Sequence, residues 1–576
     1  MKLVFDIETD DLHATKVWCI VAQNPDSGEI YKFPPDKLEE GYKFLATADT
    51  LIGHNIIGFD IPLVEKFGNV DLSTKEVIDT LVLSRLFNPT RDGGHSLGTW
   101  GYKLGYPKIE FEDYLNYSEE MLTYCVRDVE LNTKVLQELR KESKGFEKDC
   151  ISIEQGVAKI MKQQESDGFE FDMKLALSLL AELREKKQLI ESEVHETFKP
   201  KWVDTKQVTP YIKKDGNLSK RGMTDEEYQR CLDTDNYNPF MRQTLQEFNL
   251  GSRKQIGEYL IDFGWKPDRF TPTGQPIVDE KTLAKITHIH EAKLIADFLL
   301  LQKRIAQIDS WVEAVRDDGR VHGFVIPNGT ITGRMAHRNP NVAQVPSQGS
   351  PYGKECRSCW IVKDGYKLVG VDASGLELRM LAHYMDDKEY INEIINGDIH
   401  TANQNFAGLK SRDQAKTFIY ALVYGAGDEK IGSIIKGSRA EGKRLRERFL
   451  NSLPAYRTLK ERVDRAASKT YLKGIDGRKL YIRHKHAALN TLLQGAGAVL
   501  MKKALVMLDD LLKLNTIDYR FVANIHDEWQ IEVKESQTDF VGEMAVKCII
   551  EAGEHFNLRC PMDGEYKVGG NWSETH

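Results

Sequence analysis

Cysteine is sparse in this sequence, and what there is builds no framework. The eight cysteines among 576 residues are scattered, and the one close pair, Cys356 and Cys359 in "CRSC", has no second pair to complete a zinc site. A disulfide-stapled fold is therefore excluded, and the cysteines read as reduced and structural. Long hydrophobic runs are lacking as well. No stretch approaches the roughly 18 to 20 uninterrupted apolar residues of a membrane span. The N-terminus, "MKLVFDIETDD", meets acid after only a few apolar residues, which no secretory signal does. These absences predict a cytosolic protein with no membrane partner. Positive charge is short overall, at a formal net −8. A nucleic-acid partner would need basic residues concentrated locally. Repeats and low-complexity tracts are absent too.

What is present is an ordinary globular composition, 41% hydrophobic and 29% charged, in a chain too long for one core. Its texture changes along the length. Residues 1 to about 145 mix short β-rich runs such as "KLVFDIE" and "VWCIVAQ" with helical stretches, an α/β pattern. From about 151 helical spacing takes over, with Leu175, Leu179, Leu180, Leu183, Ile190 and Val194 on one stripe and a second long helix through "LIADFLLLQKRIAQIDSWVEAV". Between these helices the segment from about 199 to 247 is less regular and rich in lysine, aspartate, proline and glycine, as an insertion would be. After 320 the mixed texture returns, interrupted by a helical stretch from about 385 to 475.

Chemistry first shows in "VFDIETD", where the strand period of two puts Asp6 and Glu8 on one face. Asp60 ends "GHNIIGFD", and "YCVRD" sets Tyr124 and Asp128 four residues apart on one helical face. Solvated strand edges would explain the first pair equally well. Four carboxylates brought together, however, each raise the pKa of the others, and hard divalent cations would resolve that conflict.

A second constellation lies in the C-terminal half. "YRFVANIHDEWQIEV" alternates apolar Phe521, Ala523, Ile525, Trp529, Ile531 and Val533, which predicts two strands joined at Asp527 and Glu528, both carboxylates at the tip. A solvated hairpin turn is the bland alternative. "YKLVGVDASGLELRMLAH" ends another β-rich run at Asp372, just before a helix, so two strand ends bearing aspartates could meet over a pair of divalent ions. Between them "SRDQAKTFIYALVYG" places Arg412, Lys416, Tyr420 and Tyr424 every four residues along one helix face, drifting by about 40° per step. Two cations followed by two rings suit a nucleotide; an amphipathic helix with Phe418, Ile419, Leu422 and Val423 inward would read the same. "HIHEA" lacks a third metal ligand and reads as helix surface, and "YGAGDEKIG" lacks the lysine-serine ending of a phosphate loop.

Taken in order, Asp6, Glu8, Asp60, Tyr124 and Asp128 resemble the DEDDy class of 3′–5′ exonucleases found as proofreading domains of family A DNA polymerases. The segments "TGRMAHRNPNVAQVP", "VDASGLELR", "GDIHT", "RDQAKTFIYALVYG", "HAALNTLLQGAGA" and "HDE" extend the resemblance to family A DNA polymerases over essentially the whole chain, most closely those of T-odd coliphages and related short-tailed phages. The resemblance implies an α/β multidomain protein, an RNase H-like exonuclease domain followed by a right-hand polymerase. Residues 1–150 would be the exonuclease, 151–314 the thumb with an insertion at 199–247, 315–384 and 490–576 the palm, and 385–489 the fingers. It leaves no room before Met1 for the 5′-nuclease domain of bacterial relatives.

The same resemblance implies the roles. Asp6, Glu8, Asp60 and Asp128 would hold two Mg²⁺ ions, with Tyr124 orienting the attacking water. Asp372, the Ala373 carbonyl and Asp527 would hold two more at the polymerase site, with Glu528 beside them, and Mn²⁺ could substitute. His400, Arg412 and Lys416 would grip the incoming dNTP, Lys416 as proton donor to pyrophosphate, while Tyr420, Tyr424 and Glu377 meet its base and sugar. Arg334, Gln344, Gln494 and His526 would contact primer-template DNA. Expected partners are primer-template DNA, dNTPs, a phage helicase-primase and a single-stranded DNA-binding protein, in the cytoplasm of an infected bacterium. Host thioredoxin as a processivity factor bound at 199–247 stays open, since the insertion is basic but shorter than in the T-odd coliphage enzyme. The rival reading is a DNA-binding 3′–5′ exonuclease with a non-catalytic C-terminal half. A single-subunit RNA polymerase is opposed by Glu377 and the N-terminal acids.

Overall fold

The computed structural model describes residues 1–576. The chain divides into two compact units, one formed by Met1–Asp172 with Ala314–His576 and the other by Met173–Glu313.

In the larger unit the N-terminal residues build a five-stranded sheet. Strands β1 (Lys2–Thr9), β2 (Val17–Gln23), β3 (Ile30–Phe33), β4 (Thr50–Gly53) and β5 (Glu76–Asp79) lie in the order β3-β2-β1-β4-β5, with β1 antiparallel to β2 and parallel to β4. β1 is therefore central, flanked on both edges. That placement rules out the solvated-edge reading of Asp6 and Glu8. The long helix Glu119–Glu142 packs on this sheet through Met121, Cys125 and Val129, spaced four apart on one face and all buried. Ser118 starts it, its side chain accepting from the Met121 amide.

A second, all-antiparallel sheet carries the C-terminal acids. Its strands run Tyr519–Ile525, Glu528–Lys534, Tyr366–Ala373 and Gly564–Gly569 in spatial order. The helix Ala488–Leu514 forms the centre of the largest core, packed against Lys148–Asp167, Leu376–Met385 and Thr538–His555. By length and composition this helix is apolar enough to cross a membrane, which the search for uninterrupted runs overlooked. Most of its apolar window is buried inside the protein, as befits a core helix.

The helix Lys148–Asp167 belongs to the larger unit rather than to the helical unit expected to begin at 151. The reason is electrostatic as well as apolar. Its Glu154, wholly buried, is ion-paired to Lys502 of the core helix and to Arg478, each at 2.7 Å. The smaller unit contains two long helices, Met173–Thr197 and His290–Ala314, joined by an Arg184–Asp309 ion pair at 2.7 Å. Its expected irregular insertion is ordered: Lys201–Val208 and Phe240–Gln246 form an antiparallel ribbon, and between these strands along the chain lie the small pair Tyr211–Ile212 and Leu218–Ser219 and the helix Asp225–Thr234. Trp202 and Leu245 pair across that ribbon and stay exposed.

Candidate active sites

Alternation along β1 turns Asp6 and Glu8 to the same face, and Asp60, the first residue of the helix Asp60–Gly68, accepts a hydrogen bond from the Ile7 amide between them at 3.2 Å. Asp128 approaches from the helix Glu119–Glu142. Burial, then the neighbouring carboxylates Asp60, Glu8 and Asp128, push the Asp6 carboxyl far above its ordinary range. Burial pushes Glu8 up to about 9 and Asp60 up to about 7. Asp128 is 4% exposed, and its Oδ1 has no hydrogen-bond partner. Its Oδ2 is ion-paired with Lys108 at 2.5 Å, and the Lys108 ammonium also lies over the Tyr124 ring, 4.7 Å from the centroid. All five expected N-terminal residues thus come together.

The C-terminal acids meet as two strand ends. The chain reverses through His526 and Asp527, and His526 adopts φ +58°, the positive value that a tight two-residue hairpin requires at its first position. The Ala373 amide donates to the Asp527 carbonyl at 3.2 Å, pinning the hairpin tip to the end of Tyr366–Ala373. Burial and the facing Asp527 and Glu528 push Asp372 up to about 7, and burial and Glu377 push Asp527 up to about 6.

Glu528 departs from the expected tip position. It is the first residue of its strand, opposite Asp372 in register and only 6% exposed. Its Oε1 accepts from Trp572 Nε1 at 2.5 Å and Gln530 Nε2 at 2.7 Å, and its Oε2 is 2.9 Å from His576 Nδ1. Burial alone would raise its pKa, yet His576, Arg357 and Trp572 hold the carboxyl below its ordinary value. Both oxygens of Glu528 are engaged by the protein, through Trp572, Gln530 and His576.

Facing these acids is the helix Arg412–Val423. Phe418, Ile419, Leu422 and Val423 are buried, as the amphipathic reading required, which leaves the Arg412, Lys416, Tyr420 and Tyr424 stripe on the other side. Burial, then Glu377, Asp527 and Asp372, raise the Tyr420 hydroxyl pKa, which places that ring beside the acid pair. The Tyr424 hydroxyl donates to Glu377 Oε1 at 3.2 Å, and the Arg334 guanidinium lies 3.3 Å from the same oxygen. Glu377 is thus bonded to Tyr424, and the Tyr420 and Tyr424 rings stack at 6.4 Å. His400 lies 6.4 Å from the Tyr420 ring, with a buried, unpartnered Nδ1, and burial together with Arg412 and Lys416 lowers its pKa. Three cationic or donor groups therefore share one end of the stripe.

The signature of DNA polymerase family A matches residues 224–574. The chain is a family A DNA polymerase. It is 34% identical over 707 aligned positions to the DNA-directed DNA polymerase of Enterobacteria phage T3 and 33% identical over 710 to that of Escherichia phage T7, covering 100% of both chains in each comparison. Among solved structures it matches the POL domain of Pol1 from M. smegmatis, described as in complex with DNA primer-template and dNTP, with a TM-score of 0.80 over 100% of this chain and 96% of that one, at 18% identity. It is a phage-type DNA-directed DNA polymerase, and its mixed α/β architecture is that of the family.

In this family A polymerase, Arg334 and His526 line one small cavity together with Lys502, Asn524, Trp529 and Ala498, and Gln494 sits one helical turn before Ala498. Gln344 ends the short turn Val342–Gln344, outside that cavity. Several residues at these sites escaped the sequence reading. Lys108 comes from "YPKIEF", which carries no motif. Asp398 caps the helix Ile399–Ala407 and accepts from Arg412 Nε at 2.7 Å. Its position just before a helix was a legible capping signal, but its hold on Arg412 spans two helices and was not.

Proposed function

We propose that the chain is the replicative polymerase of a phage replisome, adding dNTPs to a primer 3′-hydroxyl at Asp372 and Asp527 and removing 3′ nucleotides at a DEDDy-type exonuclease site in its first 150 residues. The observation that carries the polymerase part is the convergence of Asp372, Asp527, Glu377 and Tyr420 at the end of a helix that also bears Arg412 and Lys416. The β3-β2-β1-β4-β5 order with acids on central β1, the arrangement of RNase H-like nucleases, supports the exonuclease part. We assign the thumb to Met173–Glu313, the palm to 315–384 with 490–576, and the fingers to 385–489.

Both acid clusters fit hard divalent cations. They offer carboxylates driven up in pKa by burial and mutual repulsion, and Asp128 keeps a buried oxygen without a partner. Magnesium held by Asp372, Asp527 and the Ala373 carbonyl, and by Asp6, Glu8, Asp60 and Asp128, would supply the Lewis acidity that activates the attacking oxygen and balances charge on the leaving one. The protein's own groups do the rest. Arg412, released from Asp398, and His400 hold the triphosphate, and Lys416 delivers a proton to pyrophosphate. Glu377, fixed by Tyr424 and Arg334, fills the space of a ribose 2′-hydroxyl. Arg334, His526 and Gln494 hold the primer end. Tyr124 orients the water for 3′-end hydrolysis.

The testing experiment is primer extension on a long single-stranded template with Mg²⁺, four dNTPs and a DNA trap, with and without thioredoxin. Extension in both lanes is expected. Its absence from both would overturn the polymerase reading and leave the exonuclease-only alternative. Products longer only with thioredoxin would make 199–247 its docking segment; equal lengths would assign processivity to the chain alone.

Tyr420→Phe should sharpen rejection of dideoxynucleotides, because the phenol hydroxyl is the polar group available to a sugar lacking its 3′-hydroxyl. The change should be on the order of tenfold or more, the worth of one such hydrogen bond. Competing dNTP and ddNTP incorporation measures it, and an unchanged ratio would remove Tyr420 from sugar selection.

A further inference from the structure

The second sheet ends on a free edge. Gly564–Gly569, the last strand in spatial order, pairs with Tyr366–Ala373 on one side and with no strand on the other. The opposite edge strand, Tyr519–Ile525, is covered by the helix Lys148–Asp167, whose Gln164 accepts from Asn524 Nδ2 at 2.6 Å. Proteins commonly guard such an edge with proline, a bulge or a covering element. Gly564–Gly569 has no proline, runs in unbroken register along its whole length, and leaves Val568 40% exposed. Beside this edge the helix Thr538–His555 leaves a shallow groove of about 640 Å³. Val546 and Ile550, one helical turn apart, form its apolar floor together with Tyr566 of the strand. The Tyr566 ring lies so near Gly542 that a Cβ there would come within 2.3 Å of it, which fixes the strand against the helix. Glu543, Glu551, Glu554 and Glu565 form the rim. Burial, then Asp539 and Glu543, raise the Tyr566 hydroxyl pKa, so a fifth acid stands near that ring. The only cation in the lining, Lys547, is ion-paired with Glu551 at 3.6 Å, which leaves Glu543, Glu554 and Glu565 uncompensated within the groove.

We propose that this edge and groove dock a partner protein through an extended basic segment, which adds as a fifth strand beside Gly564–Gly569 and lays arginine or lysine side chains over Val546 and Ile550 toward the glutamates. Three features select that occupant. The unpaired edge presents main-chain donors and acceptors at the two-residue period of an extended chain, which a helical partner cannot match. The apolar floor takes the aliphatic stems of long basic side chains while the rim meets their charged ends. The excess of carboxylates repels phosphates, so this surface is not a further contact for DNA. Main-chain pairing supplies affinity that any extended chain could share, and the glutamates supply the choice of a basic one.

The test is fluorescence anisotropy of a fluorescein-labelled octapeptide of alternating arginine and valine, titrated with the full-length protein at about 0.15 M salt. Saturation at one peptide per chain is expected, and an octapeptide of alternating glutamate and valine should not bind. Glu551→Lys combined with Glu554→Lys should weaken binding at least about tenfold. Far-ultraviolet circular dichroism and primer extension should be unchanged in that variant, since neither residue belongs to the Asp372–Asp527 site. Two further peptides, methylated at the backbone nitrogens of either the arginines or the valines, keep the charge and remove alternate main-chain donors. At least one of them should lose binding. No saturable binding of the arginine peptide, equal affinity for the double variant, or binding kept by both methylated peptides would overturn the site. Wild-type protein that sediments as a dimer and is dissociated by the peptide would assign the edge to a second copy of this chain and overturn the partner.

Discussion

Asp527→Ala abolishes primer extension, by at least about 10³-fold, while the same purified protein still degrades 3′ ends in Mg²⁺. The size of the effect follows from how the carboxylate is held. The hairpin tip places Asp527 against Asp372, half-buried, with the Asp372 carboxyl driven up to about 7 and that of Asp527 to about 6. Such a pair costs folding free energy unless a cation lies between its members, so its retention points to use. Alanine removes that repulsion along with the metal ligand. The variant should therefore melt at or above the wild-type temperature, a stability gain coupled to a total loss of function. Asp6→Ala is the mirror experiment: 3′-end degradation lost, extension kept. Loss of both activities from either single change, in a protein that still melts cooperatively, would show that the two sites are not separate.

Glu154→Leu is expected to destabilise the larger unit by about 3–5 kcal/mol, and Glu154→Leu combined with Lys502→Met to restore most of that loss. Glu154, Asp476, Arg478 and Lys502 form a cluster of two anions and two cations closed to water, with side chains no more than 3% exposed. Burial would raise the Glu154 carboxyl, yet Lys502 and Arg478 bring it below its ordinary value; burial lowers Lys502 to about 8, opposed mainly by Glu154. Removing Glu154 alone strands two cations against the single Asp476. Removing Glu154 with Lys502 takes away one charge of each sign and leaves Arg478 paired with Asp476 at 2.7 Å. Urea midpoints of the larger unit's transition read the difference. If the double variant is as unstable as the single one, the loss is one of packing rather than of charge.

The cluster also reaches the cavity of Arg334 and His526. Lys502 lines the cavity shared by Arg334 and His526, and Gly333, at φ +76°, lies so near Arg478 that a Cβ there would come within 2.8 Å of its Nη1. Glycine is required at that loop both for its backbone conformation and for the close approach. The single Glu154 variant should accordingly weaken DNA binding as well as stability.

Much of each site was legible because it is written in short periods. Asp6 and Glu8 share a face because a strand alternates, and Arg412, Lys416, Tyr420 and Tyr424 share one because a helix turns every 3.6 residues. The hairpin at residues 526–527 was legible from the alternation on either side, but the fate of Glu528 was not. Its apolar neighbours foretold a strand, while the Trp572 and His576 side chains that engage its oxygens come from more than 40 residues downstream. The 199–247 segment was misread as irregular because its ribbon is polar on both faces, so no strand period stands out in the sequence.

The sequence by itself determined that this is a family A DNA polymerase, which acids end its strands and which helix carries the Arg412, Lys416, Tyr420 and Tyr424 stripe, since each of those features lies within one turn or one strand. Only the tertiary structure decided that Glu528 is engaged by Trp572 and His576, that Lys108 meets Asp128, that Cys125 lies against Asp6, and that Glu154 is neutralised by Lys502, 348 residues away. Burial and opposite charge act through space, and their partners come from segments whose approach no local period encodes.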